Sequence, residues 1–139
     1  MQIHVYEADE FIGGRDSEQR IVYFEAKKGK KQIYDTFEAF VKACMLYEEQ
    51  LDYFVPFNRY DLERMIEEDF LNAVKPLASE DFFKNLSHIG FCDALIESRM
   101  QLPSNIIKCV SVNKQEWNYI FHIIESDTGF YGYNWMTSA

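Results

Sequence analysis

A chain of 139 residues, 47% hydrophobic and 27% charged, carries enough apolar material for one compact core, so a single domain over residues 1–139 is expected. Its net charge of −9 argues against a phosphate backbone as partner, and that charge is concentrated: residues 32 to 81 hold twelve acids against four bases. Residues 1 to 31 hold six of each, and residues 82 to 139 hold five acids and four bases.

At the start, "IHVYEA" alternates Ile3 and Val5 with His4 and Tyr6, and "RIVYFEA" from Arg20 to Ala26 is β-branched and aromatic, so two strands are expected with a loop, "DEFIGGRDSEQ", between them. "KKGKK", residues 27 to 31, turns the chain toward a helix. From about Asp35 the period becomes helical, with Phe37, Phe40, Val41, Cys44 and Leu51 on one stripe, Asp35 and Glu38 forming a capping box, and Glu38 paired with Lys42 one turn on. A second helix is predicted from a cap at Asn58 to the residue before Pro76, burying Leu62, Met65, Ile66, Phe70, Ala73 and Val74.

Ser79, Glu80 and Asp81 have the cap and acidic first turn of a third helix, which buries Phe82, Phe83 and Leu86 and stops at Gly90. "CDALIESRMQ" reads as a short fourth helix. After Pro103 three strands follow, "NIIKCVSV", "EWNYIFHIIES" and "FYGYNWMT", the last two joined at "DTG" by a three-residue hairpin with Gly129 left-handed. The expected fold is α+β: an antiparallel sheet of about five strands, two N-terminal and three C-terminal, packed against three to four central helices.

No apolar run is long enough to cross a bilayer, and the start lacks the pattern of a leader, so a cytoplasmic location without membrane contact is expected. Cys44, Cys92 and Cys109 are odd in number and never C-x-x-C, which fits a reducing compartment and argues against a zinc site. "GG" at 13 and 14 lacks the lysine and helix of a phosphate loop, so a hinge is the simpler reading. No cofactor is called for. Catalysis finds no familiar pattern either: His4, His88 and His122 are not spaced with a metal-binding or triad partner, and Ser87 and Cys109 lack a nucleophile's setting. A deep pocket gathering His88 or His122 with carboxylates would point to an enzyme.

What stands out is "DLERMIEEDF", where Asp61, Glu63, Glu67, Glu68 and Asp69 surround one base, Arg64. Glu63 and Glu67 stand one turn apart without histidine or a calcium-loop pattern, so the open alternatives are a solvated helix face and a recognition surface. In the second alternative Glu48, Glu49 and Asp52 of the preceding helix lie beside Glu63, Glu67 and Glu68 and present one anionic patch. A second candidate surface is the strand face of Tyr131, Tyr133 and Trp135, provided that no helix covers it. The lysines of residues 27 to 31 read as a solvated turn rather than a phosphate grip.

Small size, acidity, clustered carboxylates and the lack of a catalytic motif together make the chain resemble immunity proteins of bacterial toxin systems, including contact-dependent inhibition. That resemblance implies a non-enzymatic inhibitor that binds a basic toxin domain one to one, a nuclease with a basic cleft being the implied kind. The alternative is an acidic secretion chaperone or other adaptor, although such chaperones are expected to open with a helix rather than strands.

Overall fold

The computed structural model describes residues 3–11, 18–28, 36–52, 59–88 and 105–137. The elements run in the order β1 (His4–Phe11), β2 (Glu18–Lys27), α1 (Phe37–Asp52), α2 (Arg59–Ala73), β3 (Val74–Pro76), α3 (Ser79–His88), β4 (Ile106–Val112), β5 (Tyr119–Ser126) and β6 (Gly129–Thr137). All six strands join one antiparallel sheet ordered β1-β2-β6-β5-β4-β3, so the N-terminal hairpin docks on the last strand and the meander β4-β5-β6 fills the middle. This is the expected α+β class with one more strand than expected.

The additional strand is β3, which lies where α2 was expected to continue. Pro76 disfavours a helical conformation at Lys75, and a residue without an N–H is tolerated at a sheet edge, so Val74, Lys75 and Pro76 leave the helix and pair with Val112, Ser111 and Val110. Asn113 N–H then donates to Ala73 O at 2.7 Å, tying the end of α2 to the far end of β4.

The central strands β2, β6 and β5 are buried on both faces. On one face Val22, Phe24, Ala26, Phe121, Ile123, Phe130 and Val112 pack with Phe40, Val41, Cys44 and Met45 of α1 and Ile66 and Ala73 of α2. The other face holds Ile21, Tyr23, Ile124, Tyr131 and Tyr133 with Phe82 of α3. Helices therefore cover both sides of the sheet, which explains why "IVYF" and "YIFHII" are apolar almost without interruption. Ring contacts fix the packing: Phe40 stacks on Phe130 at 5.3 Å, and Phe82 meets the edge of Tyr133 at 5.0 Å.

Local details depart from expectation in three places. Thr36 caps α1, its Oγ1 accepting from Ala39 N–H at 3.1 Å; the expected cap, Asp35, lies outside the described residues. Met65 is exposed rather than part of the α2 stripe. The β5–β6 hairpin has two residues, Asp127 and Thr128, in its loop, and Gly129 is not left-handed. A Cβ at Gly129 would instead stand 2.6 Å from Ala26 O on the neighbouring strand, so close approach is the reason for the glycine. The Glu38–Lys42 pair is present at 3.2 Å. The expected helix over "CDALIESRMQ", the cap at Asn58 and the stop at Gly90 lie outside the described residues, as does the side chain of Leu86.

Candidate functional site

The two acidic helices do not present one shared patch. Glu48, expected at its centre, is 6% exposed, and Arg20 of β2 reaches its Oε2 at 3.5 Å while also holding Glu7 of β1 at 2.8 Å. Tyr47 O–H donates to the same Glu7 at 2.9 Å, and burial together with the Glu7 carboxylate pushes its phenol up to about 12. Glu48 thus belongs to a cluster that fastens α1 to the N-terminal hairpin. Glu49 is half-buried, and the side chain of Asp52 lies outside the described residues.

Glu67 is paired as well, accepting from Lys42 Nζ at 2.7 Å, and the two carboxylates on Lys42 raise its pKa. What remains exposed belongs to α2. At about 100° per residue, Leu62, Ile66, Phe70 and Ala73 face inward, while Tyr60, Arg64, Glu68 and Leu71 recur on the opposite side. Tyr60 is 68% and Leu71 83% exposed, Glu63 and Glu68 are exposed on flanking positions, and Asp69 is exposed on the other side of the helix. Glu68 and Asp69 make no ion pair among the described residues.

Between α1 and α2 runs a groove of about 580 Å³. Its floor exists because α1 places Ala39 and Ala43 where longer side chains would fill the gap, and Tyr60, Glu63, Arg64 and Glu67 form the α2 rim. The sequence missed Tyr60 and Leu71, although both fall outside the Leu62–Ile66–Phe70–Ala73 stripe and were identifiable on that ground.

The aromatic face of β6 is covered. Tyr131 and Tyr133 are buried, and Tyr133 O–H donates to Phe82 O of α3 at 2.8 Å. Trp135 is half-buried opposite Ile21 and Ile120. Alternation placed all three on one face correctly, but the condition for a partner surface, a face free of helices, is not met for the two tyrosines.

A second concave site was not anticipated. Across four strands, Tyr23, Tyr133, His122 and Ser111 stand in register, and His122 is 1% exposed. Its Nδ1 lies 3.0 Å from the Tyr133 hydroxyl, whose one proton is donated to Phe82 O; Nδ1 therefore carries the proton of the neutral imidazole and Nε2 the lone pair. Burial lowers the His122 pKa to about 4, opposed by the negative charge of Asp81.

The imidazole lines a pocket of about 410 Å³ with Asp81 and Asn85 of α3, Glu116 and Trp117 of the β4–β5 loop, and the apolar Leu77 and Ile120. That loop is held firmly. Asn113 takes the left-handed conformation at φ 61°, Gln115 Nε2 donates to the Val112 and Asn113 carbonyls, and Gln115 Oε1 accepts from Phe121 N–H. Glu116 and Tyr119 exchange both backbone bonds, which leaves Trp117 at the tip, 72% exposed.

Among the described residues no group of three or more His, Cys, Asp or Glu converges closely enough to hold a metal ion, and no helix is long and apolar enough to cross a membrane. Lys28, from the basic turn, is engaged by Glu125 at 2.7 Å and sits over the Phe130 ring; residues 29–31 lie outside the described residues. Cys44 and Cys109 are free thiols whose pKa values burial raises, that of Cys109 to about 12. Neither has the thiolate character of a nucleophile. Comparison of the chain with protein-family models, with curated proteins and with solved structures gives no match.

Proposed function

We propose that the chain is an acidic protein-binding inhibitor that docks on a basic protein domain through the outer face of α2 and the adjoining α1–α2 groove. One observation carries the reading: two large apolar side chains, Tyr60 and Leu71, stand exposed on a helix face they share with Glu68, while the helix's opposite face is packed on the sheet. Apolar anchors within an anionic setting suit a partner surface that is basic and partly apolar: carboxylates raise the encounter rate, and the buried Tyr and Leu slow release. The implied partner remains a toxin domain of the nuclease kind, bound one to one, as the resemblance to immunity proteins leads one to expect. Glu48 and Glu49 drop out of the contact and Tyr60 and Leu71 enter it.

The test is a search of the neighbouring reading frames for a small basic domain, followed by measurement of its association with the purified chain. A one-to-one complex weakened by Leu71→Ser supports the proposal; a stable homodimer with no such complex favours the chaperone alternative.

The His122 pocket bears on the enzyme reading, because it gathers an imidazole with Asp81 and Glu116. Its chemistry favours binding over catalysis. The ring's Nδ1 is engaged by Tyr133 rather than oriented by a carboxylate, and the described lining offers no hydroxyl or thiol to act as nucleophile.

A further inference from the structure

We propose that the pocket between α3 and the β4–β5 loop is a binding site for an alkylguanidinium group, with Trp117 as its stacking wall and Asp81, Glu116 and the Nε2 of His122 as its acceptors. This site lies on the opposite face of the sheet from α2 and does not depend on the docking reading.

Four features converge on that chemistry. His122 is buried, its tautomer is fixed by Tyr133, and its Nε2 lone pair has no hydrogen-bond partner among the described residues, on a ring that lines the pocket. Neither the Asp81 nor the Glu116 carboxylate makes an ion pair there, and the described lining includes no basic side chain. Acceptors thus outnumber donors, so a ligand must bring several N–H groups. The acceptors are too dispersed to share a metal ion, which suits a planar fork wider than a point charge. Finally, the largely exposed indole of Trp117 lines the same pocket on a turn closed by the two Glu116–Tyr119 backbone bonds, and an indole is the side chain that best attracts a delocalised cation.

The volume of about 410 Å³ accommodates an arginine-sized chain, with Leu77 and Ile120 against its methylenes. A free guanidine and an arginine side chain of a bound protein present the same group. The experiment separates these sources.

Butylguanidinium is titrated into the full chain while the indole N–H resonances are followed, Trp117 being identified by its loss in Trp117→Phe. The neutral isostere butylurea is run in parallel. A saturable shift of the Trp117 resonance with butylguanidinium, at least tenfold weaker with butylurea and at least tenfold weaker in Asp81→Asn, is the expected result. Glu116→Gln should weaken it less, and Glu68→Gln on α2 should leave it unchanged, so failure here is distinct from failure of the docking reading. N-acetyl-arginine-N′-methylamide binding as well as agmatine assigns the group to a protein side chain; agmatine binding tenfold better assigns it to a free small guanidine. Equal responses to butylguanidinium and butylurea, no saturable response, or a response indifferent to Asp81→Asn would overturn the site.

Discussion

His122 shows how a single side chain couples the interior to a concave surface. Its neutral form is the one the fold accommodates, because burial opposes protonation more strongly than Asp81 favours it. The folded pKa of about 4 lies below the ordinary value of 6.5, so stability contributed by the neutral ring is complete above pH 6.5. It declines as the pH falls toward 4 and changes no further below that, with a loss of about 3 kcal/mol over the window. Urea unfolding at several pH values should show that decline in the natural chain and a flatter dependence in His122→Gln; parallel curves would show that the ring is not held neutral. Gly129 makes a second prediction at this scale. Gly129→Ala places a methyl against Ala26 O, which belongs to backbone, and should cost about 1–3 kcal/mol. At Gly132 the added carbon meets Ile123 Cγ1 at 3.1 Å and His122 O at 3.3 Å, both looser than the 2.6 Å contact at Gly129, so Gly132→Ala should cost less in the same unfolding assay.

Among the elements, α3 depends most on one residue. It is short, and among its described side chains Phe82 is the fully buried one, wedged against Tyr133 and accepting that tyrosine's hydroxyl at its carbonyl. Phe82→Ala should destabilise the protein by about 3–5 kcal/mol and shift the resonances of His122, whereas Phe83→Ala, at a half-buried position, should cost less. The start of α3 was legible from its acidic first turn, although Ser79 is the first helical residue rather than its cap, and β2, β5 and the Glu38–Lys42 pair were legible too, because each depends on spacing within a few residues. The side of the sheet each helix would cover was not legible. Periodicity shows that Phe82 is inward but not that inward means the face opposite α1, and β3 was concealed because Val74 continues the apolar stripe of α2. Glu48 was misjudged for the same reason: its neutralising partner, Arg20, lies on β2, and sequence spacing cannot bring the two together.

For the whole molecule, the sheet divides the surface into two faces. On one side α1 and α2 cover the larger core and present Tyr60, Leu71 and Glu68 outward; on the other α3 and the Trp117 turn enclose the His122 pocket. The excess negative charge of residues 32 to 81 does not converge from α1 and α2, since Glu48 is matched by Arg20, and Glu38 and Glu67 share Lys42. The other exposed carboxylates among the described residues of that stretch are divided between the helices, with Glu63, Glu68 and Asp69 on α2 and Glu80 and Asp81 on α3. A long-range field still results, because matched pairs cancel locally while the net charge of −9 persists. The central claim is that the outer face of α2 meets a basic partner, and association kinetics test it most directly. Binding to a small basic domain, sought in the neighbouring reading frames, is measured by stopped flow over a range of ionic strength, with Glu63→Lys and Glu68→Lys combined and Glu67 kept so that Lys42 retains its partner. The account predicts an on-rate that falls as salt rises and on the order of tenfold slower association for the double variant at low salt, with unfolding nearly unchanged. An on-rate indifferent to both salt and charge reversal would contradict it.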